Sequence, residues 1–301
     1  MAYSLSALRS TAAFVALLGG VVHQANAYTV FEFFNDPSQA LKWGGSNTVG
    51  TPGGVVTWSL MPNGTAIDPT DLPSNIVATS VSDLTSVFNQ FGGESVAFPL
   101  IAQAFTAWSS VANITFIKVS DDGTPFNAAY NGAQAIGNIR IGAFAFQAGD
   151  FTGAVGYAAP PNGGRTLEGD IIFNVNNRFG IAPGNEGALY ELYPQSNGFY
   201  YLNDFSGLLT HEIGHTIGLD HSTVPTAMMC GFVNGGFDGS SCAYNDPDGD
   251  FKAPINRIPD ADDIAGVQYL YGTAPVPEPS TWAFFLAGLG LFCLVRRRNA
   301  A

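Results

Sequence analysis

His211 and His215 stand four residues apart in the run His211-Glu212-Ile213-Gly214-His215-Thr216-Ile217-Gly218-Leu219-Asp220-His221. On a helix that spacing places both imidazoles on one face, one turn apart. Glu212 follows His211, where its carboxylate reaches a water held at a metal without being a ligand itself. Gly218 permits a backbone geometry that other residues resist, so the helix can end sharply and the chain can return His221 as a third donor. Three histidine nitrogens suit zinc and leave its fourth position open for water, which marks a catalytic site rather than a structural one. Three of the four histidines in the chain fall in this run. The chemistry expected is hydrolysis, with Glu212 as general base.

The long motif resembles that of the metzincin metallopeptidases, and in particular the matrixins. Ser222 follows the third histidine, and Val224-Pro225-Thr226-Ala227-Met228-Met229 follows in turn. The resemblance implies that Met229 is the Met-turn methionine, below the metal and not bound to it. It implies an α+β fold, a metzincin zincin with a mixed twisted β-sheet, an active-site helix and a C-terminal helix. It also implies a zinc-dependent endopeptidase cutting extracellular or surface proteins. One alternative is a serralysin-like secreted peptidase. Ser222 in place of proline and the lack of glycine-aspartate repeats stand against it. Another is a non-catalytic surface or adhesive protein that keeps the fold, against which the intact Glu212 stands.

Matrixins hold a second, structural zinc and calcium in the segment that matches Phe144–Asn177. Asp150 can be placed against the aspartate of that zinc site, but Tyr157 and Ile172 stand where histidines are expected. Neither side chain binds zinc usefully, so a single catalytic zinc is expected. Asp150, Asp170 and Asn174 are candidate calcium ligands, as hard oxygen donors. So are Asp246, Asp248 and Asp250 around Gly249, although no glutamate closes that loop as in an EF-hand.

The elements that must position these residues are legible in outline. Phe205–Ile217 reads as the helix carrying the first two histidines, capped by Asn203 or Asp204. Pro259–Gly272 reads as a helix with acidic residues in its first turn and a glycine stop. It resembles the terminal matrixin helix, which implies that Asp262 or Asp263 supports the site from behind. Phe98–Val111 shows helical spacing of Ile101, Phe105 and Trp108, with Trp108 in the core. Val77–Phe91 reads as a short helix with Ser82-Asp83 near its start. Strands are expected at Val55–Leu60, Ile114–Val119 and Ile136–Ile141. By the resemblance, Gly153–Ala159 is an edge strand above the cleft, pairing with substrate. Met61–Gly93 and Arg178–Asn203 read as insertions, and Cys230–Pro259 as a longer loop than matrixins carry.

Composition bounds the rest. The 301 residues include 11 Lys and Arg against 24 Asp and Glu, for a net charge of -13. Such a chain should not favour nucleic acid. Residues 1–27 read as a signal peptide, with Arg9, an apolar run from Ala12 to Val22 and Ala25-Asn26-Ala27 for cleavage. Residues 28–272 form the expected peptidase domain. Residues 273–280 hold a linker and Pro277-Glu278-Pro279-Ser280. Residues 281–298 hold an apolar helix and Arg296-Arg297-Arg298, a basic stop. This tail resembles the PEP-CTERM sorting signal of Gram-negative bacteria. That implies secretion across the inner membrane, transient membrane insertion through the tail, an exosortase-type partner, and a cell-surface or extracellular destination. Cys293 lies in the tail, so an oxidising compartment leaves Cys230 to pair with Cys242.

Overall fold

The computed structural model describes residues 27–150, 152–160, 164–191, 194–195, 198–199, 202–231, 244–245 and 251–275. Three short strands open it: β1 (Thr29–Val30), β2 (Glu32–Phe33) and β3 (Asp36–Ala40). The main sheet is built from β4 (Gly54–Leu60), β5 (Ile114–Lys118), β6 (Ile139–Phe144), β7 (Ala154–Gly156) and β8 (Ile171–Asn174), in the order β5-β4-β6-β8-β7. All pairings are parallel except β7 with β8, so the sheet is mixed and β7 is an antiparallel edge. Two helices, α1 (Leu84–Phe88) and α2 (Glu94–Ser109), join β4 to β5.

Alternation along the strands divides the core between the two sheet faces. Ile141, Ile171 and Phe173 join Ile101, Phe105 and Trp108 of α2 on one side. Phe144 and Ile172 join Met61, Ile67, Ile76, Phe126 and Phe146 on the other. Helix α3 (Phe205–Thr216) completes the first layer with Leu209 and Ile213. The expected α+β class with a mixed sheet is therefore the observed one.

Several boundaries move for physical reasons. Residues 77–83 stay out of α1 because their N–H groups go elsewhere: Val77 to the Ala145 carbonyl, Ser82 to Thr65 and Asp83 to Ala143. Asp83 caps the shortened helix by accepting from Ser86. Helix α2 begins at Glu94 rather than Phe98, and Pro99 lies within it. Strand β6 runs to Phe144, three residues beyond the expected end. Gly142 does not break it, since the space a side chain would need is filled by the Met61 sulfur, 2.6 Å from the position of a Cβ.

The remaining strands are β9 (Arg178–Gly180), β10 (Leu189–Glu191), β11 (Pro194–Gln195), β12 (Gly198–Phe199), β13 (Leu202–Asp204), β14 (Leu219–Asp220), β15 (Tyr244–Asn245) and β16 (Phe251–Pro254). Strand β10 pairs antiparallel with β16, which ties the Arg178–Asn203 insertion to the end of the long Cys230–Pro259 loop. Helix α4 (Ala261–Tyr271) closes the domain with Asp260 and Asp263 in a reciprocal capping box. Among the described residues no helix is long and apolar enough to cross a membrane. The expected signal segment up to residue 26, the tail from residue 276, Cys242, Asp246, Asp248 and Asp250 lie outside the described residues.

Candidate metal centre and active site

Helix α3 is started by Asp204, whose Oδ2 accepts from Gly207 N at 2.9 Å. That satisfies one of the N–H groups a helix start leaves open. After Thr216 the chain turns through Gly218, at φ +104°. A Cβ there would stand 2.4 Å from the Leu41 carbonyl oxygen, so only glycine fits. Strand β14 then pairs with β1 and delivers His221 back over the helix.

His211, His215 and His221 converge, with their donor atoms all within 4.8 Å of one another. His211 Nδ1 lies 2.7 Å from the Met228 carbonyl, and His215 Nδ1 lies 2.9 Å from the Leu219 carbonyl. A carbonyl only accepts, so each Nδ1 carries the proton and each Nε2 presents its lone pair. His215 Nε2 and His221 Nε2 are 3.2 Å apart. Two corners of a tetrahedron with zinc–nitrogen bonds of about 2.0–2.1 Å lie about 3.3 Å apart, so this pair is spaced for zinc. Burial, with His221 adding, pushes the His215 imidazole down to about 4. Burial first, and then its two histidine neighbours, holds His211 well below its usual range. Both stay neutral and ready to ligate.

Glu212 is buried, and its Oε2 accepts from Gly156 N of β7 at 2.6 Å. Burial pushes its carboxyl up to about 8, against the pull of that N–H. A Cβ on residue 156 would lie 2.4 Å from the Glu212 carbonyl oxygen, so glycine allows the edge strand this close to α3. The sequence reading placed Gly156 in the edge strand above the cleft but not its bond to Glu212, because that contact joins segments far apart in the chain.

The floor is built from the Met-turn and α4. A Cβ on Gly214 would stand 2.1 Å from the Met229 sulfur, so Met229 packs directly beneath the helix turn between the histidines. Asp263 accepts from Met228 N at 2.6 Å and Met229 N at 2.9 Å. Asp262 accepts from Ser222 Oγ at 2.7 Å, and from the N–H groups of Ala27 and Tyr28. The two aspartates divide the support: Asp263 holds the turn, and Asp262 holds the residue after the third histidine. Trp108 Nε1 donates to the Thr210 carbonyl and Trp43 Nε1 to the Thr216 carbonyl, both at 2.8 Å. Trp108 is thus a core residue that also pins α3.

Cys230 is disulfide-bonded. Its neighbour Gly231 lies flat against His221, where a Cβ would meet the ring at 2.1 Å. Among the described residues, no group of three or more His, Cys, Asp or Glu donors includes Asp150 or Asp170. Asp150 Oδ1 accepts from Thr152 N, and Asp170 Oδ1 accepts from Arg140 N. Asn174 Oδ1 accepts from Phe146 and Asn176, while its Nδ2 donates to the Asp150 and Thr152 carbonyls. Tyr157 and Ile172 sit in the second apolar cluster.

Comparison with known proteins agrees with this geometry. The matrixin family profile matches residues 88–272, and the PEP-CTERM protein-sorting motif matches residues 275–299. The chain belongs to the matrixin family. Metalloendoproteinase 5-MMP of Arabidopsis thaliana is 29% identical over 183 residues, covering 58% of this chain and 39% of the relative. Matrix metalloproteinase-16 of Homo sapiens is 30% identical over 185 residues, covering 60% and 24%. Metallopeptidase AprA of Pseudomonas marginalis is 28% identical over 216 residues, covering 67% and 39%. The chain spans 39% or less of the length of these three relatives. The tail motif marks export and surface sorting in Gram-negative bacteria.

Proposed function

We propose that the chain is a zinc-dependent endopeptidase, with His211, His215 and His221 holding one zinc and Glu212 acting as general base. The observation that carries this is the convergence of three histidine donors beside one buried carboxylate. When bound, zinc supplies Lewis acidity at the scissile carbonyl and acidifies water. Glu212 accepts the proton of the attacking water and returns it to the leaving amine. The Gly156 N–H steers Glu212 Oε2. An extended substrate adds to the free side of β7 by backbone pairing, which orients the scissile bond over the histidines. Met229 packs below the histidines and binds no metal.

The domain runs from residue 28 to residue 272, after a signal peptide at 1–27. The segments at 273–280 and 281–298 serve sorting, the latter by transient membrane insertion and exosortase-type processing. Substrates are surface or extracellular proteins. The candidate calcium ligands are Asp150, Asp170 and Asn174 in one segment and Asp246, Asp248 and Asp250 in the other, and the buried Asp170 Oδ2, which has no partner among the described residues, supports the first. The similarity to AprA is compatible with a serralysin-like secreted peptidase, but Ser222, buried and bonded to Asp262, favours the matrixin reading. Turnover of unfolded casein tests the proposal. Cleavage should vanish with a zinc chelator, and zinc-loaded protein that cleaves nothing would favour a non-catalytic surface role.

A further inference from the structure

The chain passes from His215 to His221 through a turn whose carbonyls at Thr216, Ile217 and Gly218 lie at or just past the end of α3, where helical partners run out. Each takes a donor from a distant segment. Trp43 Nε1 donates to the Thr216 carbonyl at 2.8 Å, Tyr271 Oη to the Ile217 carbonyl at 2.7 Å, and Phe31 N to the Gly218 carbonyl at 3.0 Å. Tyr271 Oη also accepts from Trp43 N at 3.1 Å. Trp43 and Tyr271 are therefore locked to each other as well as to the turn.

Lys42 stands behind this lock and is only 2% exposed. Its Nζ donates to the Trp43, Ser46 and Thr51 carbonyls and to Thr51 Oγ1, at 3.1 to 3.2 Å. It also lies 4.7 Å from the centre of the Tyr271 ring. Gly53 closes on the same ring, where a Cβ would meet it at 2.9 Å. Among the described residues no carboxylate pairs with Lys42. Burial holds its ammonium down at about 8, and burial pushes the Tyr271 phenol up. Carbonyl dipoles and a ring face, rather than a counter-ion, stabilise the charge. Burying a charge in this way costs stability, and an apolar side chain of similar length would spare that cost. Packing alone therefore does not account for a lysine at this position.

We infer that Lys42 is a positioning residue for the metal centre: its ammonium fixes Trp43 and the Tyr271 ring, and through them the turn that returns His221 beside His215. The inference rests on the zinc reading above. Lys42 touches neither the histidines nor the cleft. It holds the three-histidine geometry at a cost in overall stability.

The test compares the zinc-loaded full chain with its Lys42→Met variant, which keeps the length of the side chain and removes the charge. Zinc loss to an excess of a chromogenic chelator should be about 10–100-fold faster in the variant, the usual effect of removing a group that orients metal ligands. The visible spectrum of the cobalt-loaded protein, which reports ligand geometry, should change. The melting temperature of the metal-free variant should hold or rise, because a buried charge is gone. A residue that only packed would lower melting temperature and metal retention together, and that result overturns the positioning role. The gap in zinc loss between the two proteins should close as the pH rises past about 8, where wild type loses the same charge. A gap of constant size overturns the role of the ammonium. Tyr271→Phe should also quicken zinc loss, and Lys42→Met should add less to it than it does alone. Fully additive effects overturn transmission through Tyr271. If Lys42→Met fails to fold, Lys42→Gln takes its place in every measurement. Equal zinc loss and equal cobalt spectra in the folded proteins overturn the inference and leave the zinc reading intact. Wild type that takes up no zinc overturns the zinc reading, and the inference falls with it.

Discussion

His215 Nε2 faces His221 Nε2 across 3.2 Å. The Leu219 carbonyl holds the proton of His215 on Nδ1, so a lone pair points across that gap. Two nitrogens at this distance repel unless a proton or a cation lies between them. The pair is set for a metal by its surroundings: Gly218 and β14 fix one ring, and Gly231 presses on the other.

Purified protein should therefore carry one zinc per chain. Elemental analysis after calcium saturation measures it. His215→Ala should release the metal and lower the melting temperature. Two tightly held zincs would show that Tyr157 and Ile172 do not end the second site.

The buried histidines of the metal-free protein should cost it stability on mild acidification. Burial holds His215 down at about 4 when folded, against an ordinary value near 6.5, and His211 shifts the same way. At these two groups the unfolded chain binds more protons than the folded one between those values. Their contribution is fully present above pH about 6.5 and is lost as the pH drops towards about 4. Glu212, whose carboxyl burial pushes up to about 8, works the other way over the same range. The His215 contribution is therefore read as the difference in denaturant midpoint between metal-free wild type and His215→Phe, which should shrink as the pH falls, and a constant difference contradicts it. With zinc bound the decline should begin at lower pH, because protons must first displace the metal.

Glu212→Gln should keep the zinc and the fold. The amide oxygen can still accept from Gly156 N, but it is a poor base. Casein turnover should fall by about 10²–10⁴-fold, the usual contribution of a general acid–base group. Equal rates for the two proteins would remove Glu212 from that role.

Asp263→Asn should cost stability and zinc affinity together. Asp263 accepts from three backbone N–H groups, those of Met228, Met229 and Asp260. Asparagine offers one acceptor oxygen, and its NH₂ group would face a donor. Losing charge-assisted bonds of this kind costs about 1.5–3 kcal/mol each. Thermal unfolding with and without zinc checks both effects, and an unchanged zinc affinity would limit Asp263 to a packing role.

Cys230 should be found paired with Cys242. Intact mass before and after reduction, with alkylation of free thiols, decides this. Reduction should speed zinc loss, because the chain that presses Gly231 onto His221 is then tethered on one side only. Gly231→Ala should do the same by displacing the ring. If zinc loss is unchanged in both, the wall does not hold the third histidine.

The sequence by itself determined the parts of the site whose logic is local. Two histidines one turn apart, the glutamate beside the first and the glycine that ends the helix all lie within a few residues. Helical period and backbone freedom act over that range. The cap of the active-site helix was narrowed to Asn203 or Asp204 for the same reason, and the acidic first turn and glycine stop of the last helix were visible, while the resemblance showed that histidine is missing at positions 157 and 172. What the tertiary structure alone decided are relations between distant segments. Gly156 reaches Glu212 across 56 positions, Asp263 reaches Met229 across 34, and Trp43 reaches Thr216 across 173. The family pattern narrowed the supporting aspartate to Asp262 or Asp263, but only packing gave each its own task. The end of β6 and the short α1 belong to the same group. The N–H groups of Val77, Ser82 and Asp83 are claimed by other segments, and the Met61 sulfur packs where a side chain on residue 142 would stand. Such choices depend on which surfaces meet when the sheet and helices pack, and that is settled by the whole set of contacts rather than by any one stretch of chain.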